Sequence, residues 1–142
     1  MVNNMKDFIW PVRVYYEDTD AGGVVFYANY LKFFERARTE MLRAMGYEQD
    51  ELVSSEGIIF VVRFVQVDYL IPARFNEQLQ VSAKVSLVKK ASLTFEQVIT
   101  RGDAVLCKGV IRIACLDAQT MRPKAIPETL FRAILEHTTN EY

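Results

Sequence analysis

The chain has 142 residues, 51% hydrophobic and 25% charged, with a net charge of −1. That size and balance predict one domain, residues 1–142, with a core that needs no disulfides, and they exclude disorder as the working state. No overall charge draws the molecule to nucleic acid or an anionic membrane, so a phosphate-bearing ligand would need local cations.

The first segment, Met1 to Asp7, is polar where a secretory signal would be apolar, and no later run reaches membrane-spanning length. A cytoplasmic protein with no membrane span is expected. Ile9 to Asp18 then alternates Val12, Val14 and Tyr16 as a strand does, with Pro11 near its start where a missing donor is tolerated. Asp20 follows at the strand's end, then the loop glycines Gly22 and Gly23. Turn chemistry alone accounts for many Asp-Gly stretches, so the surroundings must decide what Asp20 does.

From Tyr27 to Met45, apolar residues at Tyr27, Tyr30, Leu31, Phe34, Ala37, Met41 and Met45 follow helical spacing, and Gly46 sits where a left-handed cap belongs. The opposite face, with Lys32, Glu35, Arg36, Arg38, Glu40 and Arg43, reads as solvated, and Arg36 is spaced to pair with Glu40. A short helical turn is expected around Gln49 to Ser54. Beyond Gly57 the pattern turns to strands at Ile58 to Asp68, Gln78 to Lys89, Leu93 to Thr100 and Ala104 to Leu116. Arg101-Gly102-Asp103 is a tight hairpin rather than an adhesion motif, and Glu128 to His137 is a final helix.

A strand, a long helix and four strands with connections too short for crossovers require a largely antiparallel sheet. One helix covers such a sheet only if the sheet curls around it, which predicts an α+β hotdog fold. Its sheet edges are open, and pairing with a second copy would protect them. Cys107 and Cys115 are roughly 26 Å apart if they share one straight strand, so they read as buried core thiols rather than a disulfide or metal pair.

The chemistry narrows by elimination. His137, the only histidine, lies on the terminal helix far from every motif, and there is no G-x-S-x-G elbow, no zinc ligand set and no glycine-rich phosphate loop. Carboxylate chemistry remains, with Asp20 as base or nucleophile. A thioester suits a lone carboxylate because its thiolate leaves readily, the conjugate thiol having a pKa of about 8.5. The acyl oxygen still needs donors, and the free N–H groups where the helix begins, near Tyr27, offer them with a favourable dipole.

The run from Val12 to Tyr30, VRVYYEDTDAGGVVFYANY, followed by Phe34-Glu35-Arg36-Ala37-Arg38-Thr39-Glu40, resembles the YbgC-type acyl-CoA thioesterases of the 4-hydroxybenzoyl-CoA thioesterase family. The likeness continues through Phe60-Val61-Val62-Arg63 and Tyr69-Leu70-Ile71-Pro72-Ala73-Arg74. It implies hydrolysis of acyl-CoA to a free acid and CoA without metal or cofactor. Asp20 would be the catalytic Asp, and the backbone N–H of Tyr27 would polarise the thioester carbonyl. Many members carry His at that position, and a main-chain role survives the change to Tyr27.

The resemblance further implies substrate binding by Gly22 and Gly23 and along the matched strand at Val61 and Arg63. CoA's phosphates could be met by Arg63, Arg74, Lys89, Lys90 or Arg112. Asp18 is read as a turn cap, and Glu35 as either a polar neighbour of the site or a surface partner of Arg38 or Thr39. Family members are cytoplasmic homodimers or homotetramers with sites at subunit interfaces. Bacterial ones are associated with the Tol-Pal envelope system, which points to acyl carrier protein as a further partner. The alternative is a non-catalytic acyl- or acyl-carrier-protein-binding scaffold of the envelope or of phospholipid synthesis. A hotdog dehydratase would need a histidine near the helix, which this chain lacks.

Overall fold

The computed structural model describes residues 8–138. The expectation resting on Met1 to Asp7 lies outside them. The strands are β1 (Phe8–Arg13), β2 (Ile58–Tyr69), β3 (Gln78–Lys89), β4 (Ser92–Arg101) and β5 (Ala104–Asp117). The helices are α1 (Asn29–Ala44), the single turn α2 (Gln49–Glu51), which runs into a π-helical turn at Leu52–Glu56, and α3 (Glu128–His137). The five strands form one sheet in the order β1-β3-β4-β5-β2, with every neighbouring pair antiparallel.

Register shifts at Val62/Phe64, Val85/Leu87 and Ile99/Thr100 interrupt three of the four ladders. Each adds local twist and bend, and together they let the sheet curl. Helix α1 packs against β1 and β3, with Phe33, Phe34 and Ala37 fully buried. This is the hotdog arrangement. Tight two-residue turns explain why β3, β4 and β5 pair in sequence order; Gly102 takes the positive φ of 60° that the β4–β5 turn requires. Helix α3 docks on β3 and buries Leu130 and Ile134.

Several boundaries and faces differ from the sequence reading. The first strand ends at Arg13, and Tyr16–Asp18 forms a 3-10 turn instead of strand. Asp18 causes the break: its Oδ2 accepts the Tyr15 N–H at 2.8 Å, so a side chain takes a donor that a ladder would otherwise use. Helix α1 begins at Asn29, two residues after Tyr27, and Tyr27 is 63% exposed rather than part of the buried stripe. The buried stripe instead includes Phe33, Leu42 and, unexpectedly, Arg38. The expected Arg36–Glu40 pair is replaced by Glu40–Arg43 at 3.6 Å, while the Arg36 guanidinium lies 5.7 Å from the Phe33 ring centre. Cys107 and Cys115 are free and buried, and burial raises their thiol pKa values to about 12 and about 11.

Candidate active site

The segment before α1 is a loop folded back on itself. The Gly23 N–H donates to the Asp20 carbonyl at 3.0 Å, and the Asp20 N–H donates to the Val24 carbonyl at 2.9 Å. Thr19 and Val25 form an isolated bridge that closes the loop's neck. Only a residue tolerant of positive φ can sit fourth in such a turn, and Gly23 does so at 81°. Asp20 stands exposed at the tip. Its Oδ1 accepts the Gly22 N–H at 2.8 Å, and its Oδ2 has no partner among the described residues. A Cβ at Gly22 would lie 3.3 Å from Oδ1, so a larger residue there would crowd the carboxylate.

Asp18, two residues earlier, is the clasp of this loop. Its carbonyl accepts the Phe26 N–H and the Asn29 Nδ2, both at 2.9 Å. Those bonds tie the base of the Asp20 loop to the first turn of α1. The backbone N–H groups of Tyr27 and Ala28 have no acceptor among the described residues. They lie at the positive end of the helix dipole, where an anionic oxygen is favoured. The loop thus carries one free carboxylate oxygen and leads directly into two free donors.

Tyr69, at the end of β2, steadies the junction. Its hydroxyl donates to the Tyr27 carbonyl at 3.2 Å, and its ring meets Tyr27 and Tyr30 edge-on. Burial raises the Tyr69 pKa, with Cys107 adding to the shift, so the hydroxyl keeps its proton as donor. Tyr30 in turn accepts the Ala73 N–H at 3.0 Å. Tyr69→Phe is expected to cost about 0.5–1.5 kcal/mol of stability, measured by denaturant unfolding. It should also lower any turnover several-fold, because the Tyr27 peptide loses its tether. Unchanged turnover would show that the tether is not used.

Beside α1 lies a cavity of about 490 Å³, walled by Leu31 and Leu42 of the helix and by Phe60, Val62, Phe95 and Ile111 of the sheet. It begins at Leu31, one turn beyond Tyr27. Phe60 and Val62 line it, whereas the neighbouring Val61 and Arg63 do not; Arg63 is the extra residue at the β2 bulge and is exposed. Glu35 stands exposed at the cavity's edge.

Sequence reasoning placed Arg38 on the solvated face, yet it is 7% exposed and lines this cavity. Its Nη1 donates to Gln97 Oε1 at 3.0 Å, and Gln97 Nε2 donates to the Phe34 and Ser82 carbonyls, each at 3.0 Å. A signal for Arg38 was present in the spacing: Tyr30, Phe34, Arg38 and Leu42 are four residues apart, so they share one helix face. Its charge hid it.

No group of three or more His, Cys, Asp or Glu side chains is placed to hold a metal among the described residues, and no helix there is long and apolar enough to cross a membrane. A curled antiparallel sheet around one helix, with a carboxylate loop and free N–H donors at the helix start, defines a hotdog thioesterase-like scaffold. Residues 22–108 match the thioesterase superfamily model, and the chain belongs to that family. Among its relatives is the acyl-CoA thioesterase YbgC of Haemophilus influenzae, 45% identical over 130 residues that cover 92% of this chain and 95% of that protein. The acyl-CoA thioester hydrolase YbgC of Escherichia coli O6:H1 is 43% identical, covering 89% and 95%. A probable thioesterase from Bartonella henselae superposes with a TM-score of 0.82 at 35% identity, covering 85% of this chain and 99% of that one.

Proposed function

We propose that this chain hydrolyses acyl-CoA thioesters to a free carboxylic acid and CoA, as the names of its YbgC relatives indicate for those proteins. The observation that carries the site assignment is the loop itself: the exposed Asp20 carboxylate sits on a loop clasped by Asp18 to the free Tyr27 and Ala28 donors. As general base, Asp20 takes a proton from water while the water oxygen attacks the acyl carbon. The carbonyl oxygen then carries negative charge, and the Tyr27 N–H stabilises it. Collapse expels the CoA thiolate, which collects the proton. As nucleophile, Asp20 would attack the acyl carbon and expel the CoA thiolate, forming a mixed anhydride that water then opens at the Asp20 carbonyl, so that the released acid carries away an Asp20 oxygen. Both routes use the same geometry, and single-turnover hydrolysis in ¹⁸O-water separates them by whether label enters Asp20.

In this reading Gly22 and Gly23 keep the backbone low where pantetheine passes, and β2 contributes Val61 and Arg63, with Arg63 as an exposed cation for CoA's phosphates. Arg74 pairs across an isolated bridge with Val24, which sets a second cation beside the glycine loop. Strand β2 ends the sheet, pairing with β5 on its inner side, and its outer edge has no strand partner among the described residues. A second copy would cover that edge, giving a homodimer or a homotetramer built from two dimers in the cytoplasm, with acyl carrier protein as an additional thioester donor.

The test is thiol release from acyl-CoAs of graded length, aliphatic and aromatic, followed with a thiol reagent. Turnover well above the uncatalysed rate is expected for part of the series. Saturable binding of acyl-CoA with no thiol release would replace this reading with that of an acyl-binding scaffold.

A further inference from the structure

Arg38 is the buried charge that the proposed chemistry does not use. Burial lowers its pKa to about 10, a shift that nearby Glu35 partly opposes, so the guanidinium stays charged at neutral pH. Among the described residues its one hydrogen-bond acceptor is Gln97 Oε1, and no carboxylate lies within ion-pair range. Its remaining N–H donors have no acceptor among the described residues. The Phe95 ring centre, 5.9 Å away, screens the cation on one side without neutralising it. Desolvated cations are costly unless paired, so a group that enters the cavity with an anionic oxygen would gain strongly here.

The cavity's layout says where such a group would come from. It runs along α1 from Leu31, close to the free Tyr27 and Ala28 donors, to Leu42; the helical rise makes that roughly 16 Å. Arg38 stands roughly 10 Å along this path. Gln49 Nε2 donates to Thr39 Oγ1 at 3.0 Å beside it, so the lining is polar around Arg38 and Thr39 and apolar toward Phe60, Val62 and Phe95. A methyl-ended chain would leave the guanidinium unpaired. A chain that ends in a carboxylate would not.

We propose that the cavity receives the acyl group and that Arg38 binds a carboxylate at its far end, which makes thioesters of dicarboxylic acids the favoured substrates. This rests on the thioesterase reading for its turnover test alone. Hexanoyl-, octanoyl- and decanoyl-CoA are compared with adipoyl-, suberoyl- and sebacoyl-CoA, pair by pair. At the length that spans the path, the wild type should show a kcat/KM at least about 10-fold higher for the carboxyl-ended member. Arg38→Met should reverse that order while keeping turnover of the methyl-ended member, and Arg38→Lys should restore part of the preference.

A second measurement needs no turnover. Octanoate should raise the wild-type melting temperature more than 1-octanol does, and Arg38→Met should remove the difference. Wild-type preference for methyl-ended chains at every length would overturn the proposal, and so would equal stabilisation by octanoate and octanol. An equal loss on both substrate classes in Arg38→Met would also overturn it, by assigning Arg38 to structure or to a contact between copies. If no thioester turns over but octanoate still binds through Arg38, the hydrolase reading fails and the carboxylate site stands.

Discussion

Asp20→Asn is expected to lower kcat/KM for acyl-CoA hydrolysis by about 10²- to 10⁴-fold, the range that a lost general base supplies, with Tm moving by less than about 3 °C. The separation of activity from stability follows from the loop. Asn keeps an Oδ1 that can accept the Gly22 N–H now held at 2.8 Å, so the turn survives while the charge is lost. Asp20→Ala removes both charge and acceptor, and should cost roughly a further 0.5–1.5 kcal/mol while being no less inactive than Asn. Steady-state kinetics and thermal melts on the two variants therefore separate chemistry from architecture. Substantial turnover in Asp20→Asn would remove Asp20 from the mechanism and leave it a turn residue.

The same loop shows what the sequence could and could not reveal. Strand positions beyond Gly57 were readable because Leu79, Val81, Ala83 and Val85 alternate inward with little competing chemistry, and all four are buried. The Gly-Asp signal at Arg101-Gly102-Asp103 likewise placed the β4–β5 hairpin, where Arg101 pairs with Ala104. The first strand was read too long because alternation at Val12, Val14 and Tyr16 continues past Arg13, whereas the chain is bent by a hydrogen bond from the Tyr15 backbone to Asp18. Periodicity does not encode such local competition between side chain and backbone.

The site divides along the same line. Asp20, Gly22 and Gly23 were legible as a loop motif, since each is required by local geometry: an acceptor at the tip, a spot without a side chain beside the carboxylate, and a positive φ. Arg38 and Gln97 were not. Their meeting joins α1 to β4 across 59 residues of sequence, and each is polar in a position that the fold buries. A pattern that sorts residues by polarity assigns both to solvent. Only the tertiary contact turns an i, i+4 spacing into a buried cation facing a cavity.

The close approach of α1 to the sheet yields the largest stability prediction, at Gly109. A Cβ there would meet Phe34 Cε2 at 2.8 Å, Ile111 Cδ1 at 3.0 Å and Phe34 Cζ at 3.1 Å. Gly→Ala in a strand ordinarily stabilises by up to about 1 kcal/mol through the unfolded chain, so the sign depends on whether Phe34 can retreat. It has little freedom. The ring is fully buried, and the Phe34 carbonyl is held by Gln97 Nε2, so moving the helix breaks a buried hydrogen bond. Gly109→Ala is therefore expected to destabilise by about 1–3 kcal/mol, lowering Tm by roughly 3–12 °C in a calorimetric scan. Phe34→Leu alone should destabilise by leaving space, but in the double variant it makes room for the new methyl. The pair should lose less than the sum of the singles, with a coupling of about 0.5–3 kcal/mol. Because α1 starts beside the Tyr27 donors and carries Arg38, the displacement that costs stability should also reduce turnover, and the double variant should recover part of both. A neutral or stabilising Gly109→Ala would mean that helix and sheet are less closely apposed here, and that the cavity wall gives way more readily than this packing implies.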